Sequence, residues 1–317
     1  MGSAFQIHQF TMLRNRTDRL LSTLAARPLQ CDGATGTQLQ QLGLRPGESC
    51  ERWVIEQPDR VKLVHQRYLD AGADLLTTNT FGGTTLALAA HGFTDEARAA
   101  EINRAAARLA REVAGERAWV LGDMGPFGGI LEPYGETESA VAAAAFRAQA
   151  AALLEGGADA ILVETMSDPV EAALAVAAAR EAGAQVVIAT FTFQHMAAVA
   201  DFRTMMGTDV PAAVRAVLDA GAQVVGANCG TELSLDDYAL LAGQLVAAAQ
   251  GRPVIVQPNA GSPVRDGDAI SYRTTPADFA GAAACYLKLG VRIVGGCCGT
   301  TPAHIAASAA MNRQAAA

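Results

Sequence analysis

One phrase recurs along this chain and narrows its possible folds sharply: a glycine followed at once by a short apolar run. It reads AGADLLTTNT from Ala71, GGADAILVET from Gly156, AGAQVVIAT from Ala182, AGAQVVGANC from Ala220 and, more loosely, LGVRIVGGCC from Leu289. Glycine just past a helix is the usual left-handed stop, because without a Cβ that conformation costs little. A strand buried on both faces reads as a continuous apolar run rather than an alternating one. The phrase therefore means that a helix ends and a buried parallel strand begins. PLQCD around Leu29, AWVLGDMG from Ala118 and RPVIVQPNA from Arg252 bring the strand candidates to eight. Between them lie helical stretches such as PDRVKLVHQRYLDAG, DEARAAEINRAAARLAREVAG and TPADFAGAAACYLKLG. Asp168, Thr275 and Thr301 each precede a proline, the pattern of a cap followed by the first helical residue. Eight such units predict an α/β fold of the closed (β/α)8 TIM barrel type, in a single domain. The rival, an open doubly wound sheet, lacks its glycine-rich G-x-G-x-x-G turn here. We set an N-terminal extension at residues 1–20 and the barrel at 21–317.

Composition agrees with one large core. Of 317 residues, 50% are hydrophobic and 18% charged, enough apolar material for a barrel interior and its helix layer. The formal net charge of -8 repels phosphate backbones and anionic lipid, and no Lys/Arg run offers an exception, so neither nucleic acid nor membrane is an expected partner. The first twenty residues lack the apolar core of a signal peptide. Six unevenly spaced cysteines then point to free thiols in a reducing compartment, with the cytoplasm as the expected location.

Active-site groups of such barrels gather just after the C-terminal ends of the strands. Here those positions carry Asp32, Thr78 with Asn79 and Thr80, Asp123, Glu164 with Thr165, Thr192, Cys229, Asn259, and the vicinal Cys297 and Cys298. Cys229 ends the sixth strand and the vicinal pair the eighth, so three sulfurs are placed to converge. Three thiolates with an open fourth position suit zinc. Plain packing of buried cysteines, or a strained disulfide, fits the spacing equally well. Glu164 closes the run AILVE and needs either a cationic partner or a raised pKa. The loop DGATGT from Asp32 offers backbone N–H groups to an anion, although most such loops are only turns. Of the five histidines only His195 follows a strand end; His8, His65, His91 and His304 read as surface or helix residues.

Taken in order, DGATGT, DLLTTNTF, ILVET, GANC, QPNAG and GGCCGTTPAHI resemble the homocysteine S-methyltransferase family, from about Leu29 to Ala307. The likeness is greatest to the homocysteine-binding domain of cobalamin-dependent methionine synthases, with betaine- and S-methylmethionine-dependent enzymes as more distant relatives. The resemblance implies a zinc ion held by Cys229, Cys297 and Cys298, with the substrate thiol in the fourth position. It also implies that Glu164 binds the substrate ammonium, that the loop at Asp32 and Gly33 holds the amino-acid end beside Asn79 and Thr80, and that Asn259 supports the metal when substrate is away. The product would be methionine. No D-x-H-x-x-G motif of a cobalamin module is present, so the expected donor is a methylcorrinoid on a separate protein. S-methylmethionine and betaine are the alternatives. A betaine-type cation would favour an aromatic cage, for which Trp53, Phe81, Phe127 and Tyr134 are the candidates. From other classes, a metal-dependent barrel hydrolase and a non-catalytic zinc-stapled binding protein stand as rivals.

Overall fold

The structure is a computed structural model that describes residues 16–196, 201–230, 232–266 and 269–315. Eight parallel strands form the sheet: β1 (Leu29–Gln30), β2 (Leu75–Thr77), β3 (Trp119–Met124), β4 (Ala160–Met166), β5 (Val187–Phe191), β6 (Val224–Cys229), β7 (Val254–Pro258) and β8 (Ile293–Val294). All eight lie where the apolar runs predict them. Around the ring their order is β1-β8-β7-β6-β5-β4-β3-β2. A parallel bridge between Cys31 and Leu75 closes β1 onto β2, so the sheet is a barrel and not an open fan.

Alternation along each strand sorts side chains inward and outward. Leu29, Leu121, Leu162, Ile188, Val224 and Ile293 join one buried cluster, the lower filling of the barrel. Their neighbours Val120, Ile161, Val163, Val225 and Val294 belong to a second, larger cluster between barrel and helices. Because the period is two, the residues above Leu121, Leu162 and Val224 on the same inner face include Asp123, Glu164 and Asn228. Apolar filling below thus dictates polar groups above.

A helix over 16–26 crosses the position 20 boundary and delivers Leu20 and Leu24 to the inner cluster, where they floor the barrel. Residues 1–15 of the extension, with His8, lie outside the described residues. Two of the three expected caps form: Asp168 accepts from the Val170 N–H at 2.8 Å, and Thr275 makes a reciprocal capping box with Asp278, whereas the Thr301 hydroxyl pairs with His304 Nδ1 at 2.8 Å. Two antiparallel hairpins, Gln194–Met196 with Asp201–Arg203 and Val264–Asp266 with Ala269–Ser271, follow β5 and β7. Neither was legible in the apolar pattern, because their strands are only three residues long.

Candidate functional site

The mouth of the barrel holds a cavity of about 300 Å³ lined by the ends of β1 to β4 and β6 to β8. Of the expected site residues, Asp32, Gly33, Asn79, Thr80, Glu164, Cys229, Cys297 and Cys298 line it. Asn259 lies beside it, its amide nitrogen 3.8 Å from the Cys229 sulfur. A second cleft, of about 370 Å³, lies beside Arg27, Asp74 and Arg313 and contains none of the strand-end groups.

The three sulfurs all lie within 4.8 Å of one another, and those of Cys297 and Cys298 are 4.0 Å apart. Four sulfurs at about 2.3 Å from a tetrahedral zinc would be about 3.8 Å apart, so the donor set fits that metal. Cys229 reaches the cluster through a left-handed backbone, φ 60, an uncommon conformation for a residue with a Cβ. Gly296 and Gly299 let the vicinal pair turn to one side. A Cβ on Gly296 would lie 2.5 Å from the Thr300 hydroxyl, and one on Gly299 would lie 2.1 Å from the Tyr272 ring. The neighbouring sulfurs of Cys297 and Cys298 lower the Cys229 pKa well below that of an ordinary thiol, and Cys229 in turn raises theirs. Asn259 has a buried Oδ1 with no partner, an oxygen free for a cation.

Among the described residues Glu164 has no cationic partner. Burial first, then the charge on Cys229, raises its pKa to about 8, so the second of the two sequence expectations holds. Asn228, which pattern reading passed over, organises this corner: its Nδ2 donates to Glu164 Oε2 at 3.1 Å and to the Thr165 hydroxyl at 2.6 Å, and its Oδ1 accepts the Thr165 N–H at 2.9 Å. Thr165 needs that clamp, for it stands at φ 60 where the β4–β5 register shifts. Asp32 is engaged by Thr77, accepting its N–H at 2.7 Å and its hydroxyl at 2.8 Å across the β1–β2 seam, and burial lifts its pKa to about 7. Asn79 donates to the Cys50 carbonyl at 2.7 Å, and Thr80 to the Asp123 carbonyl at 2.8 Å. Thr37 contributes a buried hydroxyl without a partner.

The remaining candidates do not converge. Among the four aromatics only Phe81 lines the cavity: Phe127 is buried edge-on to Phe146, Trp53 lies under the Arg60 guanidinium, and Tyr134 is 83% exposed. His195 pairs with Asp237 at 2.8 Å and stacks on Phe202, away from the cavity lining. His65 and His304 are helix residues, as expected, but both are buried; His91 lies on the surface.

The profile of the family described as homocysteine S-methyltransferase matches residues 29–311. The chain belongs to the homocysteine S-methyltransferase family. As a member, it is 37% identical over 307 residues to the methionine synthase of Mycobacterium leprae (strain TN), a match covering 90% of this chain and 24% of that protein. The methionine synthase of Mycobacterium tuberculosis (strain ATCC 25618 / H37Rv) is also 37% identical over 307 residues, covering 90% and 25%. The chain thus spans about a quarter of the length of these curated relatives. Among solved structures, the metallated homocysteine methyltransferase MmuM from Escherichia coli superposes with a TM-score of 0.73 at 24% identity, over 90% of this chain and 96% of that one. Its oxidised form gives a TM-score of 0.70 at 26% identity, over 88% and 94%. Family and barrel agree.

Proposed function

We propose that this chain transfers a methyl group to the thiol of homocysteine, giving methionine, at a zinc ion held by Cys229, Cys297 and Cys298. The observation that carries the reading is the convergence of three sulfurs beside a carboxyl-rich cavity at the barrel mouth. Zinc, when bound, keeps an added thiol deprotonated and its sulfur electron-rich at neutral pH, where a free thiol of pKa about 8.5 is mostly protonated. The protein's own residues do the rest. Glu164, aimed by Asn228, receives the substrate ammonium, and the loop from Asp32 through Thr37 receives the carboxylate end. Asn259 offers its free oxygen to the cluster when substrate is away. Among the described residues three ligand side chains gather and no fourth, as an open position requires. That count speaks against a mere zinc staple, and the absence of histidine from the cavity lining gives the hydrolase reading no support.

For the methyl donor we propose a methylcorrinoid, a cobalamin carried by a separate protein, since the relatives in the sequence comparison are named methionine synthases. The scattered aromatics give a betaine-type cation no cage. All six cysteines are free, in keeping with a cytoplasmic setting. The test is methionine formation by zinc-loaded protein with homocysteine and, in parallel, methylcobalamin, S-methylmethionine or betaine. Turnover with methylcobalamin and about one zinc per chain are expected, and Cys229→Ala, Cys297→Ala or Cys298→Ala should abolish both. Activity in the triple variant would overturn the mechanism, and brisk turnover of only a small cationic donor would overturn the donor assignment.

A further inference from the structure

Asp123 sits at the end of β3, on the inner face two residues above Leu121, beside β4 and its Glu164. Its backbone has no slack. The N–H donates to the Thr78 hydroxyl at 2.9 Å, and the carbonyl accepts from the Thr80 hydroxyl at 2.8 Å and from Gln149 Nε2 at 3.2 Å. The side chain is the opposite case. Asp123 is 4% exposed, and although its carboxyl hydrogen-bonds that of Glu164, its Oδ1 is buried with no partner among the described residues.

The other acids of the cavity are occupied. Asp32 is engaged by Thr77, Glu51 accepts from the Gly82 N–H at 2.7 Å and from Ser49 at 2.6 Å, and Glu164 accepts from Asn228. Among the described residues no lysine, arginine or histidine lines the cavity. An unpartnered buried acceptor costs about 1 to 3 kcal/mol. A fold that pins the residue by both backbone groups and leaves only this oxygen bare has prepared it for a ligand that brings its own donors.

We propose that Asp123 is a second carboxyl contact for the substrate ammonium, and that with Glu164 it makes the cavity select thiols bearing an α-amino group. This rests on the homocysteine reading above. An ammonium carries three N–H donors and one positive charge, and two carboxyls on adjacent strands take both better than one. Burial and the nearby Glu164 charge push the Asp123 pKa well above the ordinary carboxylate range. Its oxygen accepts an N–H in either protonation state.

The experiment compares homocysteine with 4-mercaptobutyrate, the same thiol acid without the amine, in zinc-loaded wild type, Asp123→Asn and Asp123→Ala. Binding is read by calorimetry and kcat/KM by methionine or S-methyl product formed, with zinc content measured on every sample. Asp123→Ala is expected to weaken homocysteine about 10-fold or more while leaving 4-mercaptobutyrate within about 2-fold, so that the preference collapses. Asp123→Asn, which keeps the shape and loses the charge, is expected to fall between; it carries the test if the alanine variant does not fold. Equal losses for both thiols, or an unchanged preference, would assign Asp123 to structure and overturn the proposal while the homocysteine reading stands. Wild type that binds neither thiol would overturn both.

Discussion

Left-handed residues with side chains are uncommon, and two of the three among the described residues, Thr165 and Cys229, stand at strand ends in the site. Each costs on the order of 1 to 3 kcal/mol, and each aims a functional group: Thr165 turns the chain after Glu164, and Cys229 turns its sulfur toward the vicinal pair. His65 is the opposite kind of residue. It is fully buried on the helix Pro58–Asp70, neither ring nitrogen has a partner, and burial lowers its pKa to about 4. An unfolded histidine titrates near 6.5. The unfolded state therefore binds the proton first, and folded stability is lost as the pH falls from about 6.5 through 4. The ceiling of this effect is about 3 kcal/mol. Urea unfolding of wild type and His65→Leu at pH 7 and pH 4.5 should show the variant losing about 2 to 3 kcal/mol less across that interval; parallel losses would mean that His65 finds a partner in solution.

At the scale of elements, the helix over 16–26 matters more than its peripheral place in the chain implies. Leu24 belongs to the inner cluster with Leu29 and Ile293 of β1 and β8, the two shortest strands of the ring. Leu24→Ala should cost about 2 to 5 kcal/mol of stability and leave zinc content unchanged, which denaturant titration with metal analysis would check. A loss under about 0.5 kcal/mol would mean that the floor lies elsewhere. Strand positions were legible because glycine and an apolar run are local signals of a helix end and a buried strand. Cys229, Cys297, Cys298 and Glu164 were legible because they close such runs. Asn228 closes no run, and its role depends on the β4–β5–β6 register that brings it to Thr165. Asp123 was visible as a strand end, but its bare Oδ1 is a property of packing that no spacing encodes. His65 was read as surface or helix because one buried polar residue barely disturbs a helix's polar pattern.

At the scale of the whole molecule, the ring closes through backbone pairing and two apolar clusters, with the cysteines lining the cavity above them. Zinc removal is accordingly expected to leave the far-UV circular dichroism intact. It should lower the melting temperature by several degrees, since a tight ligand adds about 4 kcal/mol at a thousandfold excess over its Kd. Collapse of the spectrum on chelation would make the metal a condition of folding. The apolar filling below the cavity, which Leu20 and Leu24 floor, has a kinetic consequence. A tube sealed at one end has a single door, so whatever rests deep in it must arrive first and depart last. A methyl acceptor at the sulfur cluster lies on the far side of any donor waiting at the rim. Turnover should then follow a compulsory order, acceptor before donor, and a donor that arrives early would bar the way and inhibit.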